Sequence, residues 1–372
     1  MLDFLNFIYI IFIFVFIYKY FKIDKIYLMI LLCHLIGVFL LNDVLFPADY
    51  LPDQFKYLNV AQNIRAFDFY AESNLTYGNT VFVAGIFFAL FPIPFIESVY
   101  SIAMINFLLY LGVFLFLHKK GFFSSQFIVY FYLLYPSLFF YSSLALREIL
   151  ILSIMFFSIY YLLIEKKYFL SLLILIPLKV LKFQNLYLLL ISYGLSFLFL
   201  NKLNIKHFLF GIIFLILFFY VFLDFPLLER INLYRKLFYL NNFSINDYIP
   251  ITSYFDIVTL AIPSAVNMFF RPLIWEEFGL FQLIQFLENC ILFIIIFFIW
   301  YKKFKYKLYK EQEVVFLNLL LVLSLAIYGL IVFNSGTSVR YKFPFITVYI
   351  IFSWYFIYQY EQLLKKSRQC VE

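Results

Sequence analysis

Hydrophobic runs of about twenty residues recur along this chain from one end to the other, separated by short polar turns. A run of that length matches the helix needed to cross a hydrocarbon core about 30 Å thick. Lipid offers no partner to a backbone amide, so a run that enters it must satisfy its own hydrogen bonds as a helix. The fold class that follows is all-α, a polytopic integral membrane protein. Composition agrees: 66% of residues are hydrophobic, 13% are charged and the mean hydropathy is +0.96. Soluble domains carry about a quarter charged residues, so a soluble globular fold is excluded.

The runs 2–18, 26–42, 98–117, 123–142, 149–164, 168–182, 186–200, 207–225, 279–300, 313–333 and 342–360 read as eleven transmembrane helices. They form a single transmembrane domain over 1–372. A further run, 79–95, is interrupted by Pro92 and Pro94, which favour a broken helix. Six basic clusters decide its assignment: Lys19/Lys22/Lys25, Lys119/Lys120, Lys166/Lys167, Lys202/Lys206, Lys302 to Lys310, and Lys365/Lys366/Arg368. Basic loops favour the cytoplasm, and all six share one side only if 79–95 does not cross. That run is therefore expected to be a re-entrant or juxtamembrane segment. The N-terminus is then outside and the C-terminus cytoplasmic, in what reads as a bacterial inner membrane. The first run has no basic residue ahead of it, unlike a signal peptide.

Several function classes drop out. There is no Walker loop, GxGxxG or HExxH, so nucleotide and zinc chemistry lack support. Cys33, Cys290 and Cys370 are scattered, and no metal site is expected. His34, His118 and His207 fall within a span or at cytoplasmic span ends, which disfavours a serine–histidine hydrolase outside. The net charge of +7 reflects basic cytoplasmic loops facing anionic lipid rather than a nucleic-acid partner.

The polar residues that remain gather on the outer side. The first extracytoplasmic loop with its juxtamembrane segments, 42–97, holds Asp43, Asp49, Asp53, Asp68 and Glu72 beside Lys56 and Arg65. Pro47 and Pro52 break the chain, and Tyr57, Ala61 and Ile64 then recur at helical spacing. Asp53 would start that helix, as a base within reach of a sugar hydroxyl or as a helix cap. Arg147 and Glu148 open a span, where membrane-depth charges are paired or functional, or else snorkel. Lys182, one turn beyond Lys179, ends another span; a phosphate contact and snorkelling are its two readings. The long loop 226–278 closes on Arg271, Trp275 and Glu276. Arg340, followed by Tyr341 and Lys342, opens the last span, where an arginine suits bidentate phosphate binding. An acid with several cations on one face suits a phosphorylated substrate whose leaving group needs stabilising.

Four motifs in this order, Asp53/Tyr57/Ala61, Pro136-Ser137 before Arg147-Glu148, Arg271-Pro272 with Trp275-Glu276, and Arg340-Tyr341 with Pro344, resemble the GT-C superfamily of membrane glycosyltransferases. The resemblance extends to membrane polymerases of surface polysaccharide. It implies sugar transfer from a polyprenyl-phosphate-linked donor at the extracytoplasmic face, in cell-envelope glycan assembly. Asp53 would be the catalytic base, with Asp49 the alternative. Arg147, Lys182, Arg271 and Arg340 would hold the donor phosphate, and Tyr57, Glu148, Glu276 and Tyr341 would line the substrate site. The implied partners are the polyprenyl-linked donor, a lipid- or glycan-linked acceptor and membrane lipids. A divalent metal enters only if the donor is a diphosphate lipid. Gln54 stands where many members carry a second acid. An O-antigen- or capsule-type polymerase is the alternative enzyme, and a lipid or glycolipid transporter or flippase the non-enzyme alternative.

Overall fold

The structure, a computed structural model, describes residues 2–42, 44–45, 51–198, 227–240, 248–275 and 279–369. Among the described residues every regular element is a helix. Among the described residues four helices are long and apolar enough to cross a membrane: α1 (Leu2–Phe21), α6 (Val99–Lys119), α15 (Leu280–Lys305) and α16 (Gln312–Ile331). A bent pair, α8 (Pro136–Ser143) and α9 (Glu148–Leu163), makes a fifth if taken as one broken span. These are the marks of an all-α membrane protein. Eleven crossings were expected; most of the other described runs form shorter helices, 342–360 lies within the 35-residue helix Ser335–Gln369, and 207–225 lies outside the described residues.

The chain divides into two compact units, Met1–Phe183 and Gln184–Glu372. In the first, α1 and α6 run side by side in the same direction. Asp3 accepts hydrogen bonds from Ser98 and Ser101 (2.8 and 2.6 Å) at their starts, and His118 meets the Phe21 carbonyl (3.2 Å) at their ends. α2 (Lys25–Leu41) returns against α6, and its C-cap Asn42 accepts from the Tyr100 hydroxyl at 3.4 Å through its main-chain carbonyl. The chain therefore leaves α2 and enters α6 at one end of the unit. Within that excursion lie α3 (Asp53–Arg65), α4 (Glu72–Thr76) and α5 (Asn79–Leu90). Twelve residues make α5 about 18 Å long, short of a full crossing.

The turn after α5 keeps a backbone bond from Ile93 to the Phe91 carbonyl (2.8 Å), and three side chains bond most of the rest. Arg65 donates to the carbonyls of Ala89, Phe91 and Pro94 (3.0, 2.9 and 3.1 Å). Gln62 donates to those of Ile96 and Glu97, and the buried Asn6 pairs both backbone groups of Phe95. Backbone groups away from water must be satisfied this way. Arg65 also sets its charge at the negative end of the α5 dipole.

The run expected as one span at 123–142 is divided instead. α7 (Gln126–Leu134) stops before Pro136, which cannot continue the ladder, and α8 follows. α10 (Tyr168–Leu175) and α11 (Leu178–Leu181) return beside α9, with Ser158 and Ser171 bonded to each other. The turns carrying Lys119/Lys120 and Lys166/Lys167 meet through Lys120–Glu165 at 3.1 Å. With Phe21 at His118, the first three basic clusters thus share one end of the unit.

The second unit contains α12 (Phe183–Leu198), α13 (Leu227–Leu240), α14 (Tyr254–Phe270), α15, α16 and α17 (Ser335–Gln369). α14 starts from a capping box between Ser253 and Asp256. It packs closely along α16: a Cβ at Gly329 would collide with the Ser264 carbonyl. At one end of this unit Lys302 and Tyr306 bind Glu361 (2.8 and 2.9 Å), so the two basic clusters of 302–310 and 365–368 are neighbours.

Candidate functional site

Asp53 is the first helical residue of α3, one position after the Pro52 cap, so it is not itself the cap. Its carboxylate accepts from Lys56 at 3.0 Å and is 39% exposed, open enough to meet a ligand. Behind it, α3 buries Gln54, Tyr57, Val60, Ala61 and Ile64, the helical stripe expected from sequence. That stripe packs on α5, where Gly85 leaves no room for a Cβ beside Val60. Tyr57 is buried, with its ring edge-on to Phe88 at 6.0 Å, a packing position.

Arg147 and Glu148 stand where α8 ends and α9 begins, at a bend of 118°. Residues 144–147 are unwound, and the backbone of 143–146 is bonded by carboxamides from three other helices. Asn42, at the end of α2, donates to the Ser143 carbonyl at 2.9 Å. Asn106, in the third turn of α6, donates to the carbonyls of Leu144 and Leu146 (2.6 and 2.5 Å). Gln54 accepts from the Ala145 N–H at 3.2 Å. All three carboxamides are buried, as is Glu148. The Arg147 Nε is buried and has no hydrogen-bond partner among the described residues. Gln54 thus ties the helix that begins at Asp53 to the break that ends at Arg147. Lys182, also buried, caps α11 at the end where Thr80 of α5 bonds the Val180 carbonyl.

In the second unit several cations are bonded to main-chain carbonyls, Arg271 of the expected phosphate ligands among them. The Arg271 Nη1 donates to the Val332 carbonyl at 3.1 Å, at the C-cap of α16. Arg235 donates to Leu330 in the same helix end at 2.8 Å and lies over the Phe333 ring. The Lys342 ammonium, 1% exposed, donates to the carbonyls of Phe269 and Arg271 (2.7 and 2.5 Å) at the end of α14. Asn289 of α15 donates to Phe270 and Arg271 (3.0 and 2.9 Å). Cations thus sit on the carbonyl ends of two helices, where the dipole favours them. Arg340 is half-buried in the second turn of α17, and Tyr341 packs its ring on Tyr328 at 4.9 Å. Asp49 and Glu276 lie outside the described residues.

Sequence reasoning missed three carboxamides of these networks and one acid, Glu288, beside Asn289 on α15. Asn42, Asn106, Glu288 and Asn289 are each buried. Glu288 is the one acid in the apolar run 279–300, and Asn106 the one carboxamide in 98–117. A lone polar residue in such a run is costly, and that was the available signal. Among the described residues no cluster of His, Cys, Asp and Glu is arranged to hold a metal.

Compared with protein families, curated proteins and solved structures, the chain finds no match in any of the three.

Proposed function

We propose that this chain is a GT-C-like integral-membrane glycosyltransferase that moves a sugar from a polyprenyl-phosphate donor at the extracytoplasmic face. The observation that carries the reading is the Gln54–Ala145 bond, which joins the helix of Asp53 to the break of Arg147. An open carboxylate and an arginine at membrane depth are the two charges such a transfer needs. Asp53 takes the proton of an acceptor hydroxyl, whose oxygen bonds to the anomeric carbon. The bond from that carbon to the phosphate oxygen breaks, and Arg147 stabilises the departing lipid phosphate. Arg271 and Lys342, which hold helix ends, are structural in this scheme. The topology belonging to it has eleven crossings, an outer N-terminus and a bacterial inner membrane.

Asp53→Asn tests the reading. It should abolish surface glycan assembly while the protein accumulates normally in the membrane. Full assembly by that variant would remove Asp53 as the base. The bent pair α8 and α9 also suits a transporter, whose binding sites form at discontinuous helices. Purified protein in liposomes separates the two readings. A transferase forms a new glycoside from a lipid-linked sugar, whereas a flippase only moves the lipid between leaflets.

A further inference from the structure

The unwound stretch 144–147 and the Ser143 carbonyl just before it are held by side chains from three helices that are far apart in sequence. Within it the Leu144 and Leu146 carbonyls and the Ala145 N–H are bonded by carboxamides, while the Arg147 carbonyl already accepts from Ile151 in α9. Asn106 sits about 10 Å into α6, so the stretch lies well inside the unit, away from bulk water. Both N–H groups of the Asn106 carboxamide are spent on the Leu144 and Leu146 carbonyls. Its oxygen, like that of Asn42, is buried without a hydrogen-bond partner among the described residues. Gln54 differs, because its carbonyl oxygen takes the Ala145 N–H and it comes from the helix of the proposed base.

We infer that Gln54 is a positioning residue, its bond to Ala145 fixing where Arg147 stands relative to Asp53. The inference rests on the transfer reading for its functional consequence, but not for the bond. Asp53 and Gln54 are consecutive on one helical turn, and Ala145 is two residues before Arg147. One hydrogen bond therefore sets the register between the two charges. Asn106 and Asn42 keep the break open, and Gln54 alone of the three links it to α3. This gives the position a function that needs an acceptor oxygen rather than a second acid.

Gln54→Met keeps the length of the side chain and removes the acceptor; Gln54→Glu keeps an acceptor oxygen. The full-length protein in detergent is followed by hydrogen–deuterium exchange, and the same variants by sugar transfer from a polyprenyl-phosphate sugar. In Gln54→Met the amide of Ala145 should exchange about five- to tenfold faster, while α6 is unchanged. Transfer should fall by about tenfold or more through kcat, as expected for lost orientation. Gln54→Glu should restore slow exchange and part of the transfer. Unchanged exchange in Gln54→Met overturns the bond as a clamp. Faster exchange with full transfer overturns the positioning role, provided that Asp53→Asn is inactive. Full transfer by Asp53→Asn as well sinks the transfer reading instead, and the exchange result still decides the clamp.

Discussion

Lys342 carries its charge into a site that is 1% exposed, beside the equally enclosed carboxylate of Glu288, its acidic neighbour on α15. Its ammonium is tied to two carbonyls at the end of α14, so it bonds backbone and balances a charge at once. Lys342→Met should therefore lower stability in detergent by about 3 kcal/mol or more, because it removes both carbonyl bonds and the cation beside the buried Glu288. The double variant Lys342→Met with Glu288→Gln should recover part of that loss, as coupled neighbours do. Additive losses in a denaturant titration would deny the coupling. At this scale the sequence was partly legible. Asp53 and Arg147 stood out as charges at membrane boundaries. Nothing in the order of residues told that Arg271 and Lys342 would be bound to main-chain carbonyls, because those partners carry no side-chain signature.

The helices follow the apolar pattern where hydrocarbon dictates length, and depart from it where side chains can substitute for the ladder. Pro92, Pro94 and the charge distribution pointed to a broken, non-crossing segment at 79–95; α5 ends at Leu90, ahead of both prolines, and Arg65 and Gln62 show how its end is kept bonded. The division of 123–142 was not foreseen: Pro136 was visible, but Asn42, Asn106 and Gln54 were needed to make the following bend tolerable. Between α9 and α10, Glu165 accepts from Tyr160, Lys120 and Lys167. Hydrogen bonds from these three hold its carboxyl down at about 2. A carboxyl lowered in the folded state adds stability above its unfolded value near 4.5, and that contribution disappears as pH falls through about 2. Melting of the protein and of Glu165→Gln should differ at pH 6 and converge toward pH 2. A constant difference across that range would mean that the charge of Glu165 does not contribute.

Over the whole molecule the basic clusters give the testable frame. Three share one end of the first unit, while Asn42 and the start of α6 share the other. The proposed topology puts that second end outside. In a background with Cys33, Cys290 and Cys370 replaced by Ser, a membrane-impermeant maleimide added to intact cells should label Phe67→Cys and spare Ser124→Cys. Both positions are exposed, so equal or reversed labelling would overturn the orientation. The two compact units were illegible from sequence, because apolar runs and basic turns continue without change of composition across the boundary at Phe183.

Arg65, Arg235, Arg271 and Lys342 each serve a helix end through carbonyl oxygens. Every residue type offers the same oxygen, so the receiving positions are free to drift while the donors are not. Two distant copies of this architecture would then agree at a few isolated arginines and lysines and at little else. Overall percentage identity would understate their kinship, and the spacing of those donors along the chain would be the better measure of descent.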